Sequence, residues 1–341
     1  MMHAIAITGP TASGKTALGI ALARELDGEI ISCDSMQIYR EMSVGTAKAT
    51  DEERAMAPHH LIDFLSPNES YSADNYRADA LLAVEDITSR GKLPIFVGGT
   101  GLYIDTVARG STDGVPPSDP ARRERILESV GGDAHALWER LYEVDPESAE
   151  KTHENNVKRV LRALEIYDAT GTPKSHFDAL TKENTSPVRI AMITLDFHDR
   201  ELLYRRIDKR VDLMLEAGLL DEARSLYERG YLREGTTAAQ AIGYKELLSY
   251  LEGQATLDEA LDALKLASRR YAKRQLTWFR RENAYRLYLD TEDGRMRDVA
   301  DITRELLAVA REIIDNDFTL NFYEENDENQ RTKKTSCRGR A

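Results

Sequence analysis

The chain has 341 residues, enough for a full hydrophobic core and two lobes, so one large domain carrying an insertion is expected. Its 59 acidic and 46 basic residues leave a net charge of −13, which excludes tight non-specific binding to nucleic acid or an anionic membrane. Any polyanion must be met by a local basic patch, and the two cysteines, Cys33 and Cys337, supply neither a disulfide framework nor metal-ligand spacing, so a reducing cytoplasm is expected.

Ala4 to Thr8 is an apolar run of strand type, entered without a charged region or cleavage site before it. No apolar run approaches about 18 residues, so a soluble protein with no membrane partner is expected. The strand leads into Gly9, Pro10, Thr11, Ala12, Ser13, Gly14, Lys15 and Thr16, the complete P-loop pattern, and Ala17 to Leu26 continues with helical spacing. Glycines at both ends let the backbone curl so that successive amides point inward, and the helix start adds its positive dipole end. Lys15 brings a mobile charge, and the Thr16 hydroxyl can ligate Mg²⁺. The expected ligand is a phosphate or diphosphate ester; the loop leaves open whether it belongs to a nucleotide.

Glu29 to Cys33 reads as a second buried strand ending on Asp34, Ser35, Met36 and Gln37, at the rim where open α/β sheets bind ligands. Residues 43–68 read as an irregular surface excursion, with His59 and His60 as surface or hydrogen-bonding residues. Ser72 caps a helix to about Arg90, and the strand Leu93 to Val97 then runs into Gly98, Gly99, Thr100 and Gly101. The turn-rich stretch 110–120 marks a boundary, after which residues 121–178 show helical signals alone until a strand returns at Val188 to Phe197. Helices are expected near 199–217, 219–229, 238–251 and 256–283, with a disordered tail at 319–341. The fold class is therefore α/β: a P-loop NTPase-like parallel-sheet core (1–115 and 185–318) with an all-helical insertion (116–184) and additional C-terminal helices.

Lys15, Thr16, Asp34 and Thr100 converge on one rim. Spacing leaves Asp34 open as a metal contact, a general base or a structural residue, so a P-loop small-molecule kinase and a catalytically silent RNA-binding P-loop protein stay in view at this point. The segment 265–281 holds Lys265, Arg269, Arg270, Lys273, Arg274, Arg280 and Arg281 without one acid, interleaved with Tyr271, Trp278 and Phe279. Such a face can track a phosphate backbone and stack bases, or be a solvated helix surface.

The ordered set GPTASGKT (9–16), DSMQIYR (34–40), GTAK (45–48), VGGTGLY (97–103), KRVLRALEIY (158–167), IGYKE (242–246) and KRQLTWFRR (273–281) resembles the bacterial tRNA dimethylallyltransferase family over about residues 4–290. The resemblance implies transfer of a dimethylallyl group from dimethylallyl diphosphate to the exocyclic amine of the adenosine 3′ to the anticodon, with Mg²⁺ as cofactor. It implies Asp34 as base, Thr100 as a positioning hydroxyl, and Lys15 and Thr16 on the leaving diphosphate, with Arg206 and Arg210 as further diphosphate contacts. Residues 34–37 (Asp34, Ser35, Met36, Gln37) would meet the flipped base, with Thr100 and Arg122 bracketing its channel. Lys158, Arg159, Val160, Leu161, Arg162, Gln240, Gly243, Tyr244, Lys245, Lys273, Arg274, Gln275, Trp278 and Arg280 would line the tRNA surface. The insertion would grip the anticodon stem-loop, and the enzyme would work as a monomer.

Overall fold

The computed structural model describes residues 1–109, 115–183, 185–233 and 236–319. Apart from Thr319, the tail expected from 319 onward lies outside the described residues.

Short apolar runs alternating with amphipathic helices build a six-stranded sheet in the order β3-β2-β4-β1-β5-β6. The strands are β1 (Met2–Thr8), β2 (Gly28–Ser32), β3 (His59–His60), β4 (Leu93–Val97), β5 (Val188–Asp196) and β6 (Ala284–Tyr288), and every pairing is parallel. Parallel strands need crossovers, so the sheet is covered on both faces. The strand period of two divides β1 between them: Ile5 and Ile7 pack with Leu18, Leu22, Leu203, Ile207 and Leu306, while Ala4 and Ala6 pack with Tyr76, Val84 and Ile104 on the other side.

The first face carries α1 (Lys15–Glu25), α10 (Arg200–Glu216) and α14 (Val299–Asp315), and the second carries α3 (Ala73–Ser89) and α4 (Gly101–Ala108). Ser72 starts α3 through a reciprocal capping box with Asn75. Burying Tyr76, Val84 and Ile87 contributes roughly 1.5–3 kcal/mol per large side chain. A further cluster joins Tyr39 and Met42 to α11 (Leu219–Glu228), α12 (Tyr244–Leu251) and α13 (Leu257–Phe279). The short helix α2 (Asp51–Met56) precedes β3.

Two compact units result: Met1–Ala108 with the chain from Pro187 onward, and Arg109–Ser186. Among the described residues the second contains helices alone, α5 (Pro120–Ser129), α6 (Ala134–Val144), α7 (Pro146–Glu150), α8 (Val157–Thr170) and α9 (Lys174–Glu183). Ile126, Leu137, Leu141, Val160, Leu161 and Leu164 form its core. The buried Glu165 carboxylate accepts from Asp119 N at 2.5 Å, Arg123 Nη2 at 3.0 Å and Arg162 Nη1 at 2.7 Å, stapling the entry segment to α8.

Several elements differ from expectation. The excursion at 43–68 contains β3 and α2, because His59 and His60 align with Ile30 and Ile31 at the sheet edge. The last basic helix stops at Phe279 rather than 283, since the chain must turn into β6 beside β5. The glycine turn after β4 is followed at once by α4, and α14 seals the first face through Ile302, Leu306, Val309 and Ile313.

Candidate active site

Parallel pairing aligns Ile7 with Val97 and Val97 with Ser32, so β1, β4 and β2 end on the same rim. After β1 the backbone turns at Gly9 with φ 139°, where a Cβ would lie 2.8 Å from the Leu195 carbonyl oxygen. Only glycine fits that position. Gly14, at φ 84°, caps α1 with no side-chain hydrogen bond, so the first amides of α1 are left to a ligand. The loop is braced from three sides. Ser13 Oγ and Lys15 Nζ donate to the Pro10 carbonyl at 2.8 and 2.6 Å, and Arg206 Nε donates to the Ala12 carbonyl at 3.0 Å. From α13, Gln275 Oε1 accepts from Thr11 N at 2.8 Å while its Nε2 donates to the Gly99 carbonyl at 3.0 Å.

The turns after β2 and β4 interlock. A Cβ on Gly98 would fall 2.1 Å from the Cys33 carbonyl oxygen, and Thr100 N donates to that same carbonyl at 3.1 Å. Thr100 Oγ1 accepts from Ser35 N at 3.1 Å, and Asp34 Oδ1 accepts from Met36 N at 2.9 Å. Asp34 Oδ2 makes no hydrogen bond among the described residues.

These groups surround a cavity of about 360 Å³, with Lys15, Thr16, Asp34, Arg210, Tyr271 and Arg274 on its wall. Burial pushes the Lys15 ammonium down to about 7, helped by the Arg210 charge and opposed by Asp34. Burial also lowers Arg210, again against Asp34, and raises the Tyr271 phenol. Two desolvated cations, neither in a salt bridge to a carboxylate among the described residues, are arranged for an anionic ligand.

The sequence pattern of IPP transferase matches residues 37–282, and that of isopentenyl transferase matches residues 2–68. The chain is 49% identical over 297 residues to the tRNA dimethylallyltransferase of Shouchella clausii, covering 86% of this chain and 93% of that protein. It is 51% identical over 280 residues to the same enzyme of Geobacillus thermodenitrificans, covering 82% and 87%. The chain belongs to the tRNA dimethylallyltransferase family. Its fold is that of the full-length tRNA isopentenylpyrophosphate transferase of Bacillus halodurans, with TM-score 0.69 and 42% identity over 93% of this chain and 98% of that one. A eukaryotic dimethylallyltransferase solved acting on tRNA aligns with TM-score 0.77 and 31% identity, over 93% of this chain and 80% of that one. The family is one of prenyltransferases, so the kinase and the catalytically silent RNA-binding alternatives are set aside.

Against the family pattern, Asp34, Ser35, Met36, Gln37, Gln240, Gly243 and Arg274 line the cavity with the P-loop. Gln37 Nε2 donates to the Thr46 and Ala47 carbonyls at 3.2 and 3.3 Å. Thr100 stands behind the cavity wall and positions Ser35 N. Lys245, Lys273 and Arg280 are exposed, and Trp278 is half-buried over Gly101, where a Cβ would sit 2.4 Å from the indole. Four side chains expected on a tRNA surface are instead interior. Val160 and Leu161 pack in the helical unit because they face opposite to Lys158 and Arg159, which are exposed. Tyr244 is fully buried, and Gln275 is buried with both ends of its amide engaged. Arg162 is committed to Glu165 and to the Pro116 carbonyl at 2.7 Å, and Arg122 on α5 lies 3.5 Å from Asp168. In the basic helix, Arg269 and Lys265 are neutralised by Asp208 and Asp212 at 2.7 and 2.6 Å. The reading from sequence missed Glu222, which accepts three backbone amides, and set Tyr271 on a base-stacking face of the basic helix, whereas it lines the cavity.

Proposed function

We infer that this cavity transfers a dimethylallyl group from dimethylallyl diphosphate to the exocyclic amine of the adenosine 3′ to the anticodon, releasing diphosphate. The observation that carries the reading is the convergence of the P-loop, Lys15, Arg210 and Asp34 on one cavity. The uncapped start of α1, Lys15 and Arg210 receive the diphosphate, and their charge stabilises the negative charge that grows as the allylic C–O bond breaks. Arg206 acts one step back, holding the loop by its Ala12 carbonyl. The adenine amine is a weak nucleophile because its lone pair is delocalised into the ring. Asp34 keeps Oδ1 on Met36 N and offers Oδ2 to take the amine proton as the N–C bond forms. Thr100 keeps this turn in place through Ser35 N.

Mg²⁺ fits the residues present. The Thr16 hydroxyl stands in the first turn of α1, and the buried Ser32 Oγ on the same cavity wall has no hydrogen-bond partner among the described residues. Thr16 would hold the ion, with the remaining ligands supplied by diphosphate oxygens and water. When bound, the ion neutralises charge on the departing diphosphate.

The tRNA partner is met through its anticodon stem-loop. Arg270, Lys273 and Arg274 on α13 and Arg280 just beyond its end, and Lys158 and Arg159 on α8, are basic side chains offered to its phosphates. No helix among the described residues is long and apolar enough to cross a membrane, and the tRNA substrate makes the cytoplasm the place of action. One chain holds every group invoked, so a monomer suffices. The test uses an anticodon stem-loop RNA whose target adenosine is replaced by purine riboside, which lacks the exocyclic amine. It should bind like the adenosine RNA and release no diphosphate; release at the adenosine rate would remove the amine as acceptor.

A further inference from the structure

Glu222, on the first turn of α11, makes an unusual set of contacts far along the chain. Its Oε2 accepts from Ser43 N and Val44 N, and its Oε1 accepts from Gly45 N, each at 2.9 Å. The same Oε1 accepts from the Tyr244 hydroxyl at 2.6 Å. One carboxylate therefore ties together two segments, 43–45 and the start of α12, that otherwise share no covalent or sheet connection. Gly45, Thr46 and Ala47 from the first segment and Gln240, Ala241 and Gly243 from just before the second line the active-site cavity.

The two segments pack closely where each carries a glycine. A Cβ on Gly45 would lie 2.6 Å from the Tyr244 ring, and Gly243, at φ 107°, would place one 3.7 Å from the Gly45 carbonyl oxygen. The carbonyls of Thr46 and Ala47 are already taken by Gln37, and Lys48 pins the far end, its Nζ donating to the Tyr39 carbonyl at 2.6 Å and Asp63 Oδ1 at 2.5 Å. Both faces of the loop are thus fixed without a side chain entering the cavity from Gly45 or Gly243.

We propose that Glu222 is a positioning residue that fixes how Gly45–Ala47 packs against Gln240–Gly243, and that the cavity wall these two segments form together lies against the flat adenine ring of the acceptor. The diphosphate end of the cavity, at Lys15 and Thr16, is held by other residues, so the effect of Glu222 falls on the acceptor and spares the donor. This rests on the adenosine-acceptor reading above.

The experiment compares the unmutated enzyme with Glu222→Gln and Tyr244→Phe. An amide at 222 turns one oxygen into an N–H donor aimed at N–H donors; phenylalanine at 244 removes only the bridging bond and leaves the three backbone contacts. Expected are a rise in KM for the anticodon stem-loop of about tenfold for Glu222→Gln and about threefold for Tyr244→Phe, with KM for dimethylallyl diphosphate unchanged within twofold. With 2-aminopurine at the target position, the fluorescence rise on binding, as the base leaves the stack, should shrink in both variants even at saturating RNA, which loss of stability alone would not cause. A KM for the donor that rises as much as that for RNA, or a full fluorescence rise with only a lowered Tm, overturns the proposal. Absence of transfer by the unmutated enzyme would count against the prenyl-transfer reading instead, and the fluorescence rise reports on the acceptor wall independently of it.

Discussion

Gln275→Met separates a brace for the P-loop from a tRNA-surface residue, the two roles that geometry and family pattern assign to this position. Methionine keeps nearly the same volume, so the cavity cost is small and the change removes only the two amide contacts, 2.8 Å to Thr11 N and 3.0 Å to the Gly99 carbonyl. Each contact is worth about 1 kcal/mol net. The Gly99 carbonyl is buried and loses its partner at a further cost of about 1 kcal/mol, whereas half-buried Thr11 N can be rehydrated. The sum is about 2–3 kcal/mol, read in urea unfolding or as a fall in Tm of about 3–6 °C. Freed at Thr11, the P-loop should bind inorganic diphosphate about tenfold more weakly, while affinity for tRNA stays within twofold. Loss of tRNA affinity with diphosphate binding intact would refute the bracing role and return Gln275 to the RNA surface.

Asp34→Asn retains the acceptor for Met36 N but not the base; turnover should fall by about 10²–10⁴ with tRNA affinity unchanged, and equal loss of both would remove the base role. Lys15 sits near pH 7 in the free enzyme because burial disfavours its charge, so it is neutral above that pH and must take up a proton to meet diphosphate. Calorimetry at pH 8 in buffers of different ionisation enthalpy should show uptake of about one proton more than in Lys15→Met, with affinity falling by up to about tenfold per pH unit above 7. Equal proton uptake by the two proteins would contradict this. Replacing Arg270, Lys273 and Arg280 together with alanine should weaken tRNA binding and reduce the slope of log K against log salt by about two, leaving donor KM unchanged; an unaltered slope would take this face off the tRNA.

The P-loop was readable because its glycines, lysine and threonine are consecutive and flanked by an apolar strand and an amphipathic helix, so local pattern and tertiary role coincide. The four longer core strands other than β6 follow from the same kind of run. The family motif on α8 was legible as a block but not by face: Lys158 and Arg159 are exposed while Val160 and Leu161 are core, since four consecutive residues sweep most of the way round a helix and cannot all share one side. Likewise Gln275 and Tyr244 sit inside motifs whose neighbours are exposed, and only tertiary contacts reveal that their polar atoms point inward. Glu222 left no signal at all. An acid in the first turn of a helix reads as a favourable dipole partner, and its three amide contacts lie 177–179 residues away.

The most direct measurement of the central claim incubates the protein with unmodified tRNA, Mg²⁺ and labelled dimethylallyl diphosphate without ATP, followed by nucleoside analysis of the RNA. Label should appear in an N6-substituted adenosine, with one diphosphate released per nucleoside formed and no effect of added ATP. Unlabelled RNA, together with ATP hydrolysis stimulated by a small alcohol, would contradict the account and make the P-loop a site of phosphoryl transfer.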